Sequence, residues 1–407
     1  MWVLRIKGFG PNRTAAEKEI DLSRSPSPAI LALGIGGVRT GQYVIERRHV
    51  NQMTMQDRKP AYRVPAIAEV VSLPWNGFTV ASTFSGCGGS CTGYRMEGFR
   101  VVWANEFVPA AQASYKANSS VECVLDCRDI KVVTPADVLS AAGLKVGDLD
   151  LFDGSPPCPA FSTAGKREKN WGKQRHYEHG ASQTNETLFD EYIRLLRGLM
   201  PRTFVAENVS GLIKGKAKGF FLEILAGLKA SGYRVECRLL DAKWLGVPQT
   251  RQRVIFIGVR DDLRLAPAFP DPLPYFYTVR DALPELWSVE PCSTDQHPSF
   301  VQGEVIDKPC PTNLSLVRAD DAAPSPTITA SGGGTGTAGV THPTERRKFT
   351  IGEVKRICGF PDDYVLLGSY AQQWERLGNS VPPVMMAAIA RAIRDRVLIP
   401  NRKAGGP

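Results

Sequence analysis

No stretch of this 407-residue chain approaches the roughly 18 consecutive apolar residues of a bilayer-spanning helix. Its first residues, Met1-Trp2-Val3-Leu4-Arg5, do not open the long apolar core of a secretory signal. A cytoplasmic protein without a membrane partner is expected. Histidine is scarce, at five residues, and none lies beside Cys87 and Cys91 or beside Cys123 and Cys127. Those two pairs are therefore read as packing and no metal site is expected. The nine cysteines are odd in number and follow no framework spacing, which excludes a disulfide scaffold and implies reduced thiols. What is present is ordinary for a globular protein: 43% hydrophobic and 22% charged residues, enough chain for one large domain and a smaller one. A net charge of +9 points to a polyanionic partner.

Short apolar runs at 78–84, 101–104, 149–152, 204–206, 234–240 and 254–259 read as strands. Amphipathic stretches such as 186–199 and 219–230 lie between them. This alternation predicts an α/β fold, a mostly parallel sheet with helices on both faces. From 262 to 345 prolines and glycines are dense and helical periodicity is absent, which predicts a small irregular domain. The spacing Thr350-Ile351-Gly352-Glu353 is that of a capping box and starts a helix to about Cys358. A last helix, 384–397, follows Pro382-Pro383. One repeat is visible. Pro26-Ser27-Pro28-Ala29-Ile30 parallels Pro324-Ser325-Pro326-Thr327-Ile328, and Glu-Arg-Arg follows each at 46–48 and 345–347. Residues 1–74 thus read as an extension carrying a diverged copy of part of the small domain.

The segment Gly154-Ser155-Pro156-Pro157-Cys158-Pro159 sets a thiol in a proline-stiffened turn after a buried strand, at the edge where open α/β sheets bind ligands. Cys158 there is either a presented nucleophile or a small buried hydrophobe. Ser162, Lys166, Arg167, Lys169, Lys173 and Arg175 follow it, mixed with aromatics, as a basic loop able to close over a phosphate backbone. Phe84-Ser85-Gly86-Cys87-Gly88-Gly89 is a glycine turn between strand and helix, where a cofactor can approach the backbone. Glu106, about 20 residues on, suits a ribose diol, and Phe107 an adenine face. Asp129-Ile130 suits an adenine amino group. These make an adenosine site without the lysine of a phosphate loop. Glu207-Asn208-Val209 ends one strand, Gln249-Thr250-Arg251-Gln252-Arg253 begins the next, and Gly378-Asn379-Ser380-Val381-Pro382-Pro383 precedes the last helix.

In this order the blocks resemble the DNA (cytosine-5) methyltransferase family, over 78–260 and 346–399. The resemblance implies a Rossmann-like catalytic domain at 75–261 with a return at 346–400. It makes 262–345 a target-recognition domain and 401–407 a tail. The adenosine site becomes one for S-adenosyl-L-methionine, with Pro157, Leu188, Asn379, Ser380 and Val381 added to it. Cys158 would attack carbon 6 of a flipped cytosine. Glu207 would meet the ring N3 and amino edge, Arg253 the carbonyl oxygen, and Arg251 would support the site or a phosphate. Sequence-specific double-stranded DNA is the implied partner, with a monomeric enzyme and a cognate restriction endonuclease. RNA cytosine-5 methylation and a catalytically inactive DNA-binding relative are the alternatives. Two departures stand out: Ser82 where the family usually has Asp, and Pro159 where it usually has Gln.

Overall fold

Alternation along the strands decides how the layers stack. Successive side chains point to opposite faces, and the runs are apolar at both parities, so each strand must be buried on both sides. In the computed structural model this produces a central sheet between two helical layers. The structure describes residues 2–9, 15–22, 44–47, 59–119, 122–157, 175–176, 182–183, 188–214, 217–284, 316–333, 339–345 and 347–403.

At the N-terminus, β1 (Trp2–Phe9), β2 (Ala15–Leu22) and β3 (Val44–Arg47) form an antiparallel sheet ordered β2-β1-β3. Helix α1 (Ile67–Ser72) leads into β4 (Thr79–Thr83), α2 (Gly89–Met96), β5 (Arg100–Asn105), α3 (Pro109–Asn118), β6 (Val124–Asp126), α4 (Pro135–Ala142) and β7 (Leu151–Gly154). A two-residue pairing of β8 (Arg175–His176) with β9 (Ser182–Gln183) follows. Then come α5 (Leu188–Leu199), β10 (Thr203–Val209), α6 (Ala217–Lys229), β11 (Tyr233–Asp241) and β12 (Gln252–Arg260). The main sheet is ordered β11-β12-β10-β7-β4-β5-β6. Strands β4, β5, β6, β7 and β10 run parallel, while β12 is antiparallel to both β10 and β11. The link from β11 to β12 is too short for a crossover helix, so these strands can pair only as antiparallel neighbours.

Val80, Val101, Leu151, Val205, Ile255 and Ile257 fill one face of the sheet; Ala81, Trp103, Phe152, Phe204, Val254 and Phe256 fill the other. The first face is covered by α2 and by α10 (Pro383–Ile393), which sits after α7 (Val279–Ala282), β13 (Leu316–Arg318), β14 (Gly339–Thr341), α8 (Ile351–Ile357) and α9 (Tyr370–Asn379). The expected last helix is interrupted by a π-turn at Arg394–Leu398 before α11 (Ile399–Lys403). Helices α2 and α10 touch through Gly93, where an added Cβ would lie 2.5 Å from the Pro383 carbonyl oxygen and 2.6 Å from Met386 Cβ. Gly93→Ala is therefore expected to destabilise the fold by about 1–3 kcal/mol through overpacking, read as a lowered urea midpoint. An unchanged midpoint would show that the two helices separate freely.

The described residues of the block at 262–345 pack on the C-terminal return. Its described ends share a core with the C-terminal return: Val279, Leu283, Ala319, Ile328 and Val340 cluster with Phe349, Val354 and Trp374. Ser325 also forms a bridge with Gln249. Ile328 and its apolar neighbours need a wall, and α8 and α9 supply it.

The N-terminal linker packs on the same cluster. Tyr62 donates to the Arg356 carbonyl oxygen at 2.8 Å, Lys59 pairs with Asp281 at 2.5 Å, and the Ile67 amide donates to Asp363 at 2.8 Å. Residues 26–34 of the repeat lie outside the described residues. Glu69 caps the Ala66 amide at 2.8 Å and binds Arg63; Glu353 caps the Thr350 amide at 2.7 Å and binds Arg347 at 2.9 Å. The C-terminal helix also meets the start of β4, since Arg402 donates to the Gly77 carbonyl oxygen at 2.8 Å and lies over the Phe78 ring.

Candidate active site

Parallel strands deliver their carboxyl ends to one edge, and the candidate residues gather there. Beyond β4 the backbone turns sharply: Phe84 takes φ 53°, Gly86 φ 56° and Gly88 φ 100°. A left-handed phenylalanine is uncommon and marks a turn held by its surroundings. The holding contacts are the Ser85 amide on the Asn105 carbonyl at 3.0 Å and the Gly86 amide on Glu106 Oε2 at 2.7 Å. Glu106 Oε1 accepts from the Val108 amide at 2.7 Å. Burial raises its pKa, and these backbone donors oppose the rise.

The glycines of the turn serve different ends. An added Cβ on Gly86 would meet nothing within 4 Å, so its surface is open as a cradle for a ligand. On Gly88 it would lie 2.8 Å from Tyr364 Oη, and on Gly89 2.5 Å from the Val381 carbonyl oxygen. Gly88 and Gly89 are thus small to admit the protein itself. Cys87 is buried against Ser380 Oγ at 3.2 Å, and burial pushes its thiol up to about 11, which makes it inert. Phe107 is partly exposed beside Glu106. Asp129 lies in the turn after β6 and accepts from the Lys131 amide at 3.0 Å. Ile130, Leu188 and Val381, expected to line the cofactor site, are buried in the apolar clusters beneath it. Asn379 is exposed at the end of α9, and Ser380 donates to the Arg376 carbonyl at 2.6 Å.

The neighbouring strand β7 ends at Gly154, whose added Cβ would lie 2.5 Å from Thr83 Oγ1 and 2.6 Å from Tyr192. Asn208, at the end of β10, donates to the Pro156 carbonyl at 3.1 Å and so fixes the start of the proline turn. Pro157 is the last described residue of that turn. Cys158, Pro159, Ser162, Lys166, Arg167, Lys169 and Lys173 lie outside the described residues, and Arg175 is described only as backbone of β8.

Glu207 and Arg253 face each other from adjacent strands. Val209 is the register partner of Arg253, which puts Glu207 diagonally opposite on the same face. Arg253 Nε reaches Glu207 Oε1 at 2.7 Å, with side chains only 12% and 9% exposed. Burial lowers the Arg253 pKa and the Glu207 charge opposes this. Strand β12 begins at Gln252, so Gln249 and Arg251 precede it rather than belong to it. Arg251 is not placed for a phosphate: its Nη1 donates to the Ile328 carbonyl at 3.0 Å, its Nη2 to those of Gly378 and Ser380 at 2.8 Å.

Two participants escape motif reading. Tyr364 donates to the Cys87 carbonyl oxygen, closing the back of the glycine turn. Asp153, buried in β7, accepts from Ser82 Oγ at 2.8 Å and from Tyr94 Oη at 2.9 Å. Its signal was a carboxylate inside an apolar strand, a residue that is seldom buried without partners.

With this geometry established, comparison places the chain among known proteins. The model of the C-5 cytosine-specific DNA methylases matches residues 78–395. The Type II methyltransferase M1.HphI of Haemophilus parahaemolyticus is 30% identical over 337 residues, 77% of this chain and 86% of that protein. The Type II methyltransferase M.PspPI of Psychrobacter sp. is 31% identical over 356 residues, 80% and 81% of the two chains. Among solved structures, a protein described as a DNA modification methyltransferase encoded within an E. coli prophage superposes with a TM-score of 0.60 at 20% identity, covering 79% of this chain and all of that one. A DNMT2 mutant of Spodoptera frugiperda does so at 0.55 and 19%, covering 78% and 100%. The protein is an enzyme that belongs to the C-5 cytosine-specific DNA methylase family.

Proposed function

We propose that the enzyme transfers a methyl group from S-adenosyl-L-methionine to carbon 5 of a cytosine flipped out of double-stranded DNA, through a covalent bond between Cys158 and carbon 6. The observation that carries this reading is the buried Glu207–Arg253 pair beside the turn that leads to Cys158, clamped at Pro156 by Asn208. A carboxylate and a guanidinium side by side match the donor and acceptor edge of cytosine. Addition of the Cys158 thiolate at carbon 6 makes carbon 5 nucleophilic, while Glu207 holds the proton at ring N3. Arg253 orients the base through its carbonyl oxygen. After methyl transfer a base removes the carbon-5 proton, and elimination releases the cysteine.

The cofactor supplies an electrophilic methyl group on a sulfonium. The open face of Gly86 and the Glu106 carboxylate suit its ribose and backbone contacts, and Phe107 and Asp129 its adenine; Phe84, Ser85, Pro157, Asn379 and Ser380 border the same edge. Glu106→Ala is expected to raise KM for the cofactor by about tenfold, the worth of one or two lost hydrogen bonds, with little change in KM for DNA. An unaltered cofactor KM would remove Glu106 from the site.

The basic loop Ser162–Arg175 would clamp the opened strand, and the residues between α7 and β13 would read sequence in the major groove. Kinship with Type II methyltransferases supports a modification role, and the enzyme would act as a monomer beside a cognate endonuclease. The test is trapping on duplex DNA carrying 5-fluorocytosine in the presence of cofactor. A covalent complex is expected for the wild type and none for Cys158→Ala. No complex with the wild type, or activity confined to RNA, would overturn the reading.

A further inference from the structure

The buried carboxyl in β7 has no part in the scheme above, yet it sits between the two turns that scheme requires. Asp153 is 1% exposed, and Ser82 and Val205 are its register partners on β4 and β10. One carboxyl oxygen takes the Ser82 hydroxyl at 2.8 Å; the other takes the Tyr94 hydroxyl of α2 at 2.9 Å. Ser82 Oγ in turn meets Ser85 Oγ at 3.1 Å, inside the cofactor turn. One residue later β7 enters the turn that leads to Cys158. A buried carboxyl so fully bonded fixes whatever it touches, because each broken contact leaves an unsatisfied polar group in the core. Burial pushes it up to about 7 against the pull of its two hydroxyl donors, with the Glu207 charge adding to the rise.

We propose that Asp153 is a positioning residue that locks the cofactor turn to the nucleophile turn, supplying from β7 the carboxyl that the first strand lacks at Ser82. The two positions are directly paired in register, so a carboxyl on either strand occupies nearly the same space. This inference rests on the cofactor reading above, since its readout is cofactor affinity.

The test is an exchange. In the full-length enzyme, Asp153→Ser removes the carboxyl, Ser82→Asp places a second one against the first, and the double variant moves it to β4 with side-chain atoms conserved. Each single variant is expected to weaken the dissociation constant for S-adenosyl-L-methionine by about tenfold, and the double to return within about threefold of wild type, the signature of coupled neighbours. Melting temperature is followed in parallel. A double variant no better than the sum of its singles would overturn the proposal. So would singles that melt earlier but bind cofactor normally. A wild-type protein that fails to bind the cofactor would instead sink the reading on which this one rests.

Discussion

Glu207→Gln is expected to lower the single-turnover rate of DNA methylation by about 10²–10⁴-fold, the usual worth of a positioned acid–base group. Glutamine keeps the shape of the side chain but cannot hold a proton for ring N3. The loss therefore falls on the chemical step, with binding of duplex DNA retained. A second consequence follows from the ion pair. Arg253 lies 2.7 Å from Glu207 in a site nearly closed to water. Removing one partner of a buried pair typically costs about 3–5 kcal/mol, so the variant should also melt earlier, and rates must be taken well below its midpoint. Arg253→Ala tests the same pair from the other side, losing both the neutralised carboxylate and the hold on the base. A Glu207→Gln enzyme that turns over within about threefold of wild type would show that the proton at N3 is managed elsewhere.

Arg251→Met is expected to act on stability, by about 3–5 kcal/mol at the urea midpoint. Two effects compete. Methionine relieves the desolvation of a guanidinium that is 1% exposed, which favours the variant. Against it, the carbonyls of Ile328, Gly378 and Ser380 lose their donor together. Each charged hydrogen bond contributes about 1.5–3 kcal/mol, and each orphaned buried acceptor costs a comparable amount. Three bonds outweigh one desolvation. The three carbonyls belong to two segments, one at Ile328 and one at Gly378 and Ser380, and the Ser380 carbonyl is next to Val381, whose own oxygen backs Gly89. Weaker cofactor binding should accompany the loss of stability. A variant as stable as wild type would mean that other donors or water satisfy those carbonyls.

Much of this was legible because the chemistry imposes its residue types on short segments. The strands at 78–84 and 254–259 were found within two residues of β4 and β12, since apolar runs of that length between helices have few other uses. Glu207 and Arg253 were placed by their motifs. That they form an ion pair was not legible, because it depends on β12 running antiparallel to β10. Helix α9 was missed. For α9 the signal was present: Ser369 accepts from the Gln372 amide in a capping box, but the mean apolar character behind it is low. Arg251 was expected to support the site or a phosphate, and which carbonyls it holds was not legible, because they come from segments more than 70 residues away. Ile130 and Leu188, expected at the cofactor, place their side chains in the apolar cluster beneath that edge. Asp153 was overlooked since its partners come from β4 and α2, far away in the chain.

The meeting of Arg402 with Gly77 has a topological consequence. The body from β4 to α11 begins and ends at one spot, with residues 1–76 leading into it. A short glycine-rich peptide across that spot would make the body circular. New ends opened in the exposed turn after α4, around Lys145 and Val146, would cut no strand and no helix. Such a permuted enzyme would carry its nucleophile turn near the amino terminus and its glycine turn near the carboxyl terminus. It should fold to the same main sheet, because every register pairing from β4 to β12 is preserved, although the contacts of Lys59, Tyr62 and Ile67 with the return segment are given up.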